Sequence, residues 1–333
     1  YLLSKYLSKK NNVFVVTNGG DSLERLEEKK IEYRVIKSLK SKNPLTIARN
    51  IKKIRSFIID NNIRIVHTHH RLTEILALQA IKKIKKNKPS SVFTSLSIVK
   101  RKYNIEYRSD RIIAVSNSVK KMLLNKFSLN KDKITLINNF TDTDEIHDLE
   151  IISPRFRQHG KYFIILAIGR FHKDKDFETL LKALNLLKRE NIGLILVGEG
   201  NNDIDYRRYI AKKDLNVEII VPQKNLLRYF LVADICVLPS TRDPFPNFML
   251  QSGLHRVPFI GADVDGIGEL IKDSVNGLLF KAGSEQELAG KIMKFKNDKS
   301  FAETCAVNLH KDVVNYYTQE FIIPQIEQLY KSL

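Results

Sequence analysis

Short apolar runs alternate with stretches of helical periodicity along the whole chain. In the second half, residues 162–168, 192–197, 217–221, 233–240 and 258–262 are nearly continuous apolar segments, the pattern of parallel strands buried on both faces. A helical pattern follows from about Phe177. In the first half, strands are expected at 12–16, 33–36, 63–67, 91–94, 111–115 and 134–137, separated by helical segments such as 44–61 and 73–84. Strand and helix in regular alternation predict an α/β protein with doubly wound, Rossmann-like sheets. The 333 residues amount to about twice a usual single domain. Residues 142–161 are polar, proline-containing and unperiodic, and are read as a linker between a domain at 1–150 and one at 151–333.

Two clusters in the second domain carry chemistry. Residues Asp243, Pro244, Phe245, Pro246 and Asn247 form a proline-rich turn, from which a helix is expected near Asn247 with that side chain as its cap. Unpaired N–H groups of a first helical turn, with the positive end of the helix dipole, bind anions. Asp243 would stand beside that site, and Gln251 would point its amide toward it from about one turn further in. Upstream, the strand ending at Ile168 is followed by Gly169, Arg170 and Lys175. Gly169 permits a tight exit, and two cations at a strand's C-terminal end can converge on phosphate. Gly198, Glu199 and Gly200 close the next strand and are either part of the same site or a plain turn. In doubly wound sheets ligands bind beyond the carboxyl ends of the strands, where all these loops lie.

The stretch from Asp243 to Gln251 resembles the signature of retaining glycosyltransferases of family 4, in which Glu, Gly-Phe-Pro-Asn and a second Glu occupy these positions. The trailing His255, Arg256, Val257 and Pro258 match the family's short loop before a strand. Gly169, Arg170 and Lys175 resemble its Gly-Arg…Lys-Gly element, Gly266, Gly268 and Glu269 its Gly-Gly-x-x-Glu loop, and residues 276–280 its Asn-Gly-Leu-Leu strand. Residues 110–116 and 133–139 look like the strand ends that close its acceptor domain. The resemblance implies the GT-B architecture, two Rossmann-like domains facing a cleft, with the last helix crossing back to the first domain. It implies that Asp243 touches sugar hydroxyls, that Arg170 and Lys175 neutralise the donor diphosphate, and that Gln251 holds the ribose. Gly169, Gly198, Glu199, Phe245, Pro246, Asn247 and Phe248 complete the implied donor site. His67 and His69 match a family His-x-His on the acceptor side.

The chain departs from the family at several of these positions. Asp243 and Gln251 replace two glutamates, Asp176 replaces the glycine after the cationic pair, and Ser97 stands in the segment where many relatives carry a further histidine. The chain opens at Tyr1 with residues that fit the helix after the family's first strand and Gly-rich loop, so that strand and loop are expected to be missing from this sequence. His67, His69 and His70 lack the further donors of a zinc set, and the two cysteines lie far away. The Asp-x-Asp pairs at 142/144, 203/205 and 263/265 are read as solvated loops, and no cofactor or essential metal is expected.

Charge adds one partner. With 56 Lys plus Arg against 37 Asp plus Glu, the net charge is +19, concentrated in runs at 82–88 and 100–102. No nucleic-acid module is recognisable and the runs are not interleaved with aromatics, so an anionic membrane surface is favoured over nucleic acid. The plain alternative is a lysine-rich composition serving solubility. Two unpaired cysteines suggest a reducing compartment, and no apolar run approaches the roughly 20 residues of a membrane span. The expected protein is a cytoplasmic enzyme, peripheral on the inner face of the membrane. It would move a sugar from a UDP-linked donor to a glycan or lipid-linked acceptor. A catalytically weak partner subunit of the same fold and a UDP-sugar epimerase are the alternatives.

Overall fold

A computed structural model describes residues 1–20, 22–99, 105–144, 162–222 and 226–333. The chain divides into two compact units: Tyr1–Asn138 with Gln319–Leu333, and Asn139–Thr318. The division falls at Asn138 rather than at residue 150. Thr141 bridges Thr318 and the Asn139 side-chain amide donates to the Phe245 carbonyl at 2.7 Å, tying this stretch to the second unit. Of the expected linker, residues 145–161 lie outside the described residues, as do Lys100, Arg101 and Lys102 of the second basic run.

The first unit runs α1 (Leu2–Leu7), β1 (Phe14–Thr17), α2 (Ser22–Glu28), β2 (Glu32–Val35), α3 (Pro44–Asp60), β3 (Ile65–Thr68), α4 (Arg71–Lys82), β4 (Ser90–Ser95), β5 (Arg111–Ala114), α5 (Asn117–Phe127) and β6 (Ile134–Leu136). Its strands are parallel and fall into two sheets, β1-β2 and β3-β4-β5-β6. Asn43 caps α3 through Leu45 N and Thr46 N, with Pro44 at the first helical position. The apolar stripe of α3, including Ile54 and Ile58, meets Leu76, Ala80 and Ile81 of α4, so the two helices share one core.

The second unit continues with β7 (Phe163–Ile168), α6 (Phe177–Leu186), β8 (Ile192–Val197), α7 (Asp203–Lys213), β9 (Val217–Ile220), β10 (Ile235–Leu238), α8 (Asn247–Leu254), β11 (Phe259–Ala262), α9 (Ile267–Leu270), β12 (Leu278–Phe280), α10 (Glu285–Asn297) and α11 (Lys299–Tyr316). The final helix, α12 (Gln319–Lys331), groups with the first unit, where Glu327 pairs with Lys10 at 3.6 Å. Sheet order in the second unit is β12-β11-β10-β7-β8-β9, all parallel. The chain builds outward from β7 to β9, then returns to the other side of β7 with β10. The order therefore reverses between β7 and β10, and the loops leaving these adjacent strands diverge around the crevice where such sheets bind ligands. Ile165 and Leu166 of β7 stand opposite Ile235 and Cys236 of β10, fully buried, as the uninterrupted apolar runs require. Among the described residues no helix is long and apolar enough to cross a membrane.

Candidate active site

The exit of β7 is shaped by a close approach to the exit of β8. Gly169 N donates to Val197 O at 3.0 Å and Phe171 N to Glu199 O at 2.8 Å. A Cβ on Gly198 would lie 2.1 Å from Gly169 O and 2.4 Å from the Phe171 ring. Glycine at 198 is thus a condition for the two loops to touch, and the plain-turn reading misses this. Gly198→Ala is expected to destabilise the second unit by about 1–3 kcal/mol, read as a lower urea midpoint. Beyond this contact Arg170 is exposed, and so is Glu199, whose carbonyl rather than carboxylate meets Phe171. Asp176, where the resemblance has glycine, adopts a left-handed conformation at φ +47°, which Asp tolerates better than most residues. Its carboxylate accepts from Thr179 Oγ1 at 2.7 Å.

Lys175 and Asp243 meet. The Lys175 ammonium donates to Asp243 Oδ2, and both side chains are largely withdrawn from solvent. Expected to serve phosphate and sugar separately, the two form one charged unit across the β7–β10 reversal. Asp265 completes it: Asp243 N donates to Asp265 Oδ2 at 3.1 Å, and Gly266 N donates back to Asp243 O at 3.0 Å. Burial pushes the Asp265 carboxyl above its usual range. The reading of 263/265 as a solvated loop is therefore corrected for Asp265, whereas Asp263 is exposed as expected. The signal that could have located Asp265 was its place directly before Gly266. A Cβ on that glycine would sit 1.9 Å from Pro244 O, so the two loops are pressed together there. Asp142 is buried as well, accepting from Asp144 N at 2.9 Å, whereas Asp203 and Asp205 pair with Arg207 and Arg208 on the exposed face of α7. The expected loop after Gly266 is the short helix α9.

Helix α8 starts one residue earlier than a capping Asn247 requires. Pro246 is the N-cap, at φ −75° and ψ 130°, and no side chain caps the helix; Asn247 is its first helical residue and is exposed. Two proline-fixed torsions set the turn, so the extended residue before the helix is the second proline. Phe245 and Phe248 turn inward. Their rings lie 5.4 Å from Tyr317 and 5.7 Å from Phe230, respectively, so only their main-chain groups remain for a ligand. Gln251 is half-buried one turn into α8. The site thus combines a buried Lys–Asp pair, an exposed arginine and a side-chain-free helix N-terminus, an arrangement that can hold a diphosphate beside a polyhydroxyl group.

In the first unit, His67 closes β3. Its Nδ1 pairs with the Tyr330 hydroxyl at 2.6 Å and its Nε2 with Thr94 Oγ1 at 2.7 Å, and its ring lies 4.4 Å from that of His69. Burial holds the His67 imidazole well below its usual range, hence neutral. Both ring nitrogens are engaged by hydroxyls, which leaves His67 structural. His69 and Ser97 lie in the loops after β3 and β4. Tyr330 was not foreseen, since nothing local links α12 to β3. Among the described residues no group of three His, Cys, Asp or Glu side chains could hold a metal ion.

Two family models match the chain: Glycosyl transferases group 1 over residues 149–312 and Glycosyltransferase Family 4 over residues 1–145. The capsular polysaccharide biosynthesis glycosyltransferase CapM of Staphylococcus aureus is 26% identical over 233 residues, covering 66% of this chain and 61% of that protein. The uncharacterized glycosyltransferase MJ1607 of Methanocaldococcus jannaschii is 28% identical over 255 residues, covering 71% and 64%. The chain thus spans under two thirds of the length of either relative. In fold it is similar to Anabaena Alr3699/HepE, solved in complex with UDP-glucose, with a TM-score of 0.83 at 19% identity over 100% of this chain and 95% of that one.

Proposed function

Because the chain belongs to the group 1, family 4 glycosyltransferases, with the two Rossmann-like units of GT-B proteins, we propose that it transfers a sugar from a UDP-linked donor, with retention of configuration, to a glycan or lipid-linked acceptor. The observation that carries this reading is the Lys175–Asp243 pair, set at the β7–β10 reversal next to the uncapped N-terminus of α8. In the reaction the bond between the sugar's anomeric carbon and the diphosphate breaks with its electron pair leaving on the diphosphate oxygen, and the acceptor oxygen bonds to that carbon and gives up its proton to the departing diphosphate. Charge develops on the departing diphosphate. Arg170, Lys175 and the first-turn N–H groups of α8 stabilise it, and donors already in place cost no reorganisation at that moment. This assignment needs no divalent ion. Asp243 orients the sugar hydroxyls, and Asp265 positions Asp243 through its N–H. Gln251 accepts and donates to the ribose diol. A glycoconjugate or cell-envelope polysaccharide product follows the name of the capsular relative, and a UDP donor follows the ligand of the Anabaena structure. We place the protein in the cytoplasm, peripheral on the inner membrane face.

Calorimetric titration with UDP, UDP-glucose, UDP-galactose and UDP-N-acetylglucosamine tests the donor. One of the sugar nucleotides is expected to bind best, and Arg170→Ala, at an exposed position, should weaken it by about 1.5–3 kcal/mol without changing stability. Absence of binding by the folded protein to all four would overturn the UDP assignment. Binding without donor turnover toward any acceptor would favour a catalytically weak partner subunit.

A further inference from the structure

The excess positive charge belongs to one unit. Residues Tyr1–Asn138 with Gln319–Leu333 hold 32 Lys plus Arg against 12 Asp plus Glu, a net of +20; Asn139–Thr318 holds 24 against 25, a net of −1. A composition that simply favoured lysine for solubility would charge both units alike. Five of these cations are the lysines of residues 82–88, which are exposed where α4 ends.

Beside that tract, at the N-terminal ends of β4 and β5, lies a groove of about 820 Å³. Lys82, Lys88, Arg108 and Arg111 line it together with the aliphatic side chains of Leu78 and Ile105. Ile105 is 62% exposed, although it is a large apolar residue next to a basic rim. The loop that carries it is held firmly. The buried Glu74 carboxylate of α4 accepts from Tyr107 N, Arg108 N and Ser109 N and from Ser109 Oγ at 2.8–3.2 Å. Arg71 pairs with Glu106, and the buried Tyr107 ring packs edge-on against Phe93 and Phe127. Asp110, the acid on the groove wall, accepts from Ser91 N and Ser91 Oγ at 2.8 and 2.6 Å.

We propose that this groove and the 82–88 tract dock the protein on an anionic phospholipid bilayer, with lipid phosphates at Lys82, Lys88, Arg108 and Arg111 and Ile105 inserted at the headgroup–acyl boundary. Long cationic side chains with apolar stems beside an exposed aliphatic residue suit that boundary. Single-stranded nucleic acid would use aromatic platforms for its bases, and among the described residues none lines the groove. The inference gives a surface to the membrane association proposed above and rests on that reading, but its test contains neither nucleotide nor sugar. Its failure would leave the transferase reading standing.

The test is co-sedimentation of the full chain with vesicles, in about 0.1 M salt, where exposed charges are screened beyond about 10 Å. The protein is expected to pellet with vesicles containing phosphatidylglycerol and to stay in solution with phosphatidylcholine alone. Lys82→Glu with Lys88→Glu should lower vesicle affinity at least about 25-fold, from roughly fivefold for each lysine removed from the surface. Ile105→Ser should lower it by about fivefold while leaving the unfolding midpoint unchanged. Lys29→Glu with Lys30→Glu, the same change of net charge on the exposed turn after α2, should cost less than about threefold if binding is local to the groove. Equal losses from the two charge-reversed pairs, no effect of Ile105→Ser, or no binding to phosphatidylglycerol would overturn the proposal. Tighter binding to single-stranded RNA than to vesicles, indifferent to Ile105→Ser, would make the face a nucleic-acid surface instead.

Discussion

Lys175→Ala is expected to lower transfer on the order of 10³-fold, the largest effect of any single change at the proposed donor site. The ammonium serves two charges. It faces Asp243, whose side chain is 8% exposed, and in the proposed reaction it also faces the diphosphate. Its removal leaves a carboxylate withdrawn from water, with the Ser240 hydroxyl as a side-chain donor at 3.5 Å. Breaking a buried pair by deleting one partner costs about 3–5 kcal/mol, less here because Lys175 is 22% exposed. The two roles separate in the double variant. Lys175→Ala with Asp243→Asn should recover most of the lost urea stability and none of the nucleotide affinity or transfer. Recovery of affinity along with stability would show that Lys175 acts only by neutralising Asp243, and would remove it from the diphosphate.

The second large effect lies in the first unit. Glu74→Ala is expected to destabilise that unit by about 3–5 kcal/mol, with the second unit's transition unchanged. Glu74 is 0% exposed, and its loss leaves three backbone N–H groups and a hydroxyl without their acceptor. Each buried group left unsatisfied costs about 1–3 kcal/mol, moderated where water enters. Hydrogen exchange resolved by segment would show residues 107–109 losing protection first. Glu74→Gln keeps one acceptor oxygen and turns an NH₂ toward donors, so it should fall between the wild type and alanine. If Glu74→Ala left protection at 107–109 intact, the carboxylate would not be what holds the loop. If both Glu74 variants leave the unit folded, vesicle binding should still weaken, because Ile105 and Arg108 ride on that loop.

The parts of this protein that could be read directly from the chain are those whose partners are close in sequence. The apolar run at 163–168, the glycine after it and the helix from Phe177 are local features, and the structure reproduces them within a residue or so. The proline-rich turn after β10 was also legible, although which residue capped α8 was not. There the outcome depended on the torsion of Pro246, one residue from the side chain that looked like a cap. The inward packing of the Phe245 and Phe248 rings was not legible because their neighbours in space, Tyr317 and Phe230, belong to other segments of the chain.

The sequence alone determined the α/β class, the division into two Rossmann-like units, the family and the loops at the carboxyl ends of β7 and β10, because periodicity and turn chemistry act over a few residues. The tertiary structure decided which charges meet. Asp265 reaches Asp243 across 22 residues, Lys175 reaches it across 68, and Tyr330 reaches His67 across 263. It also gathered the basic residues around an aliphatic groove. Such pairings form only once the strands are in register and buried side chains must find partners away from water, and no local pattern records them.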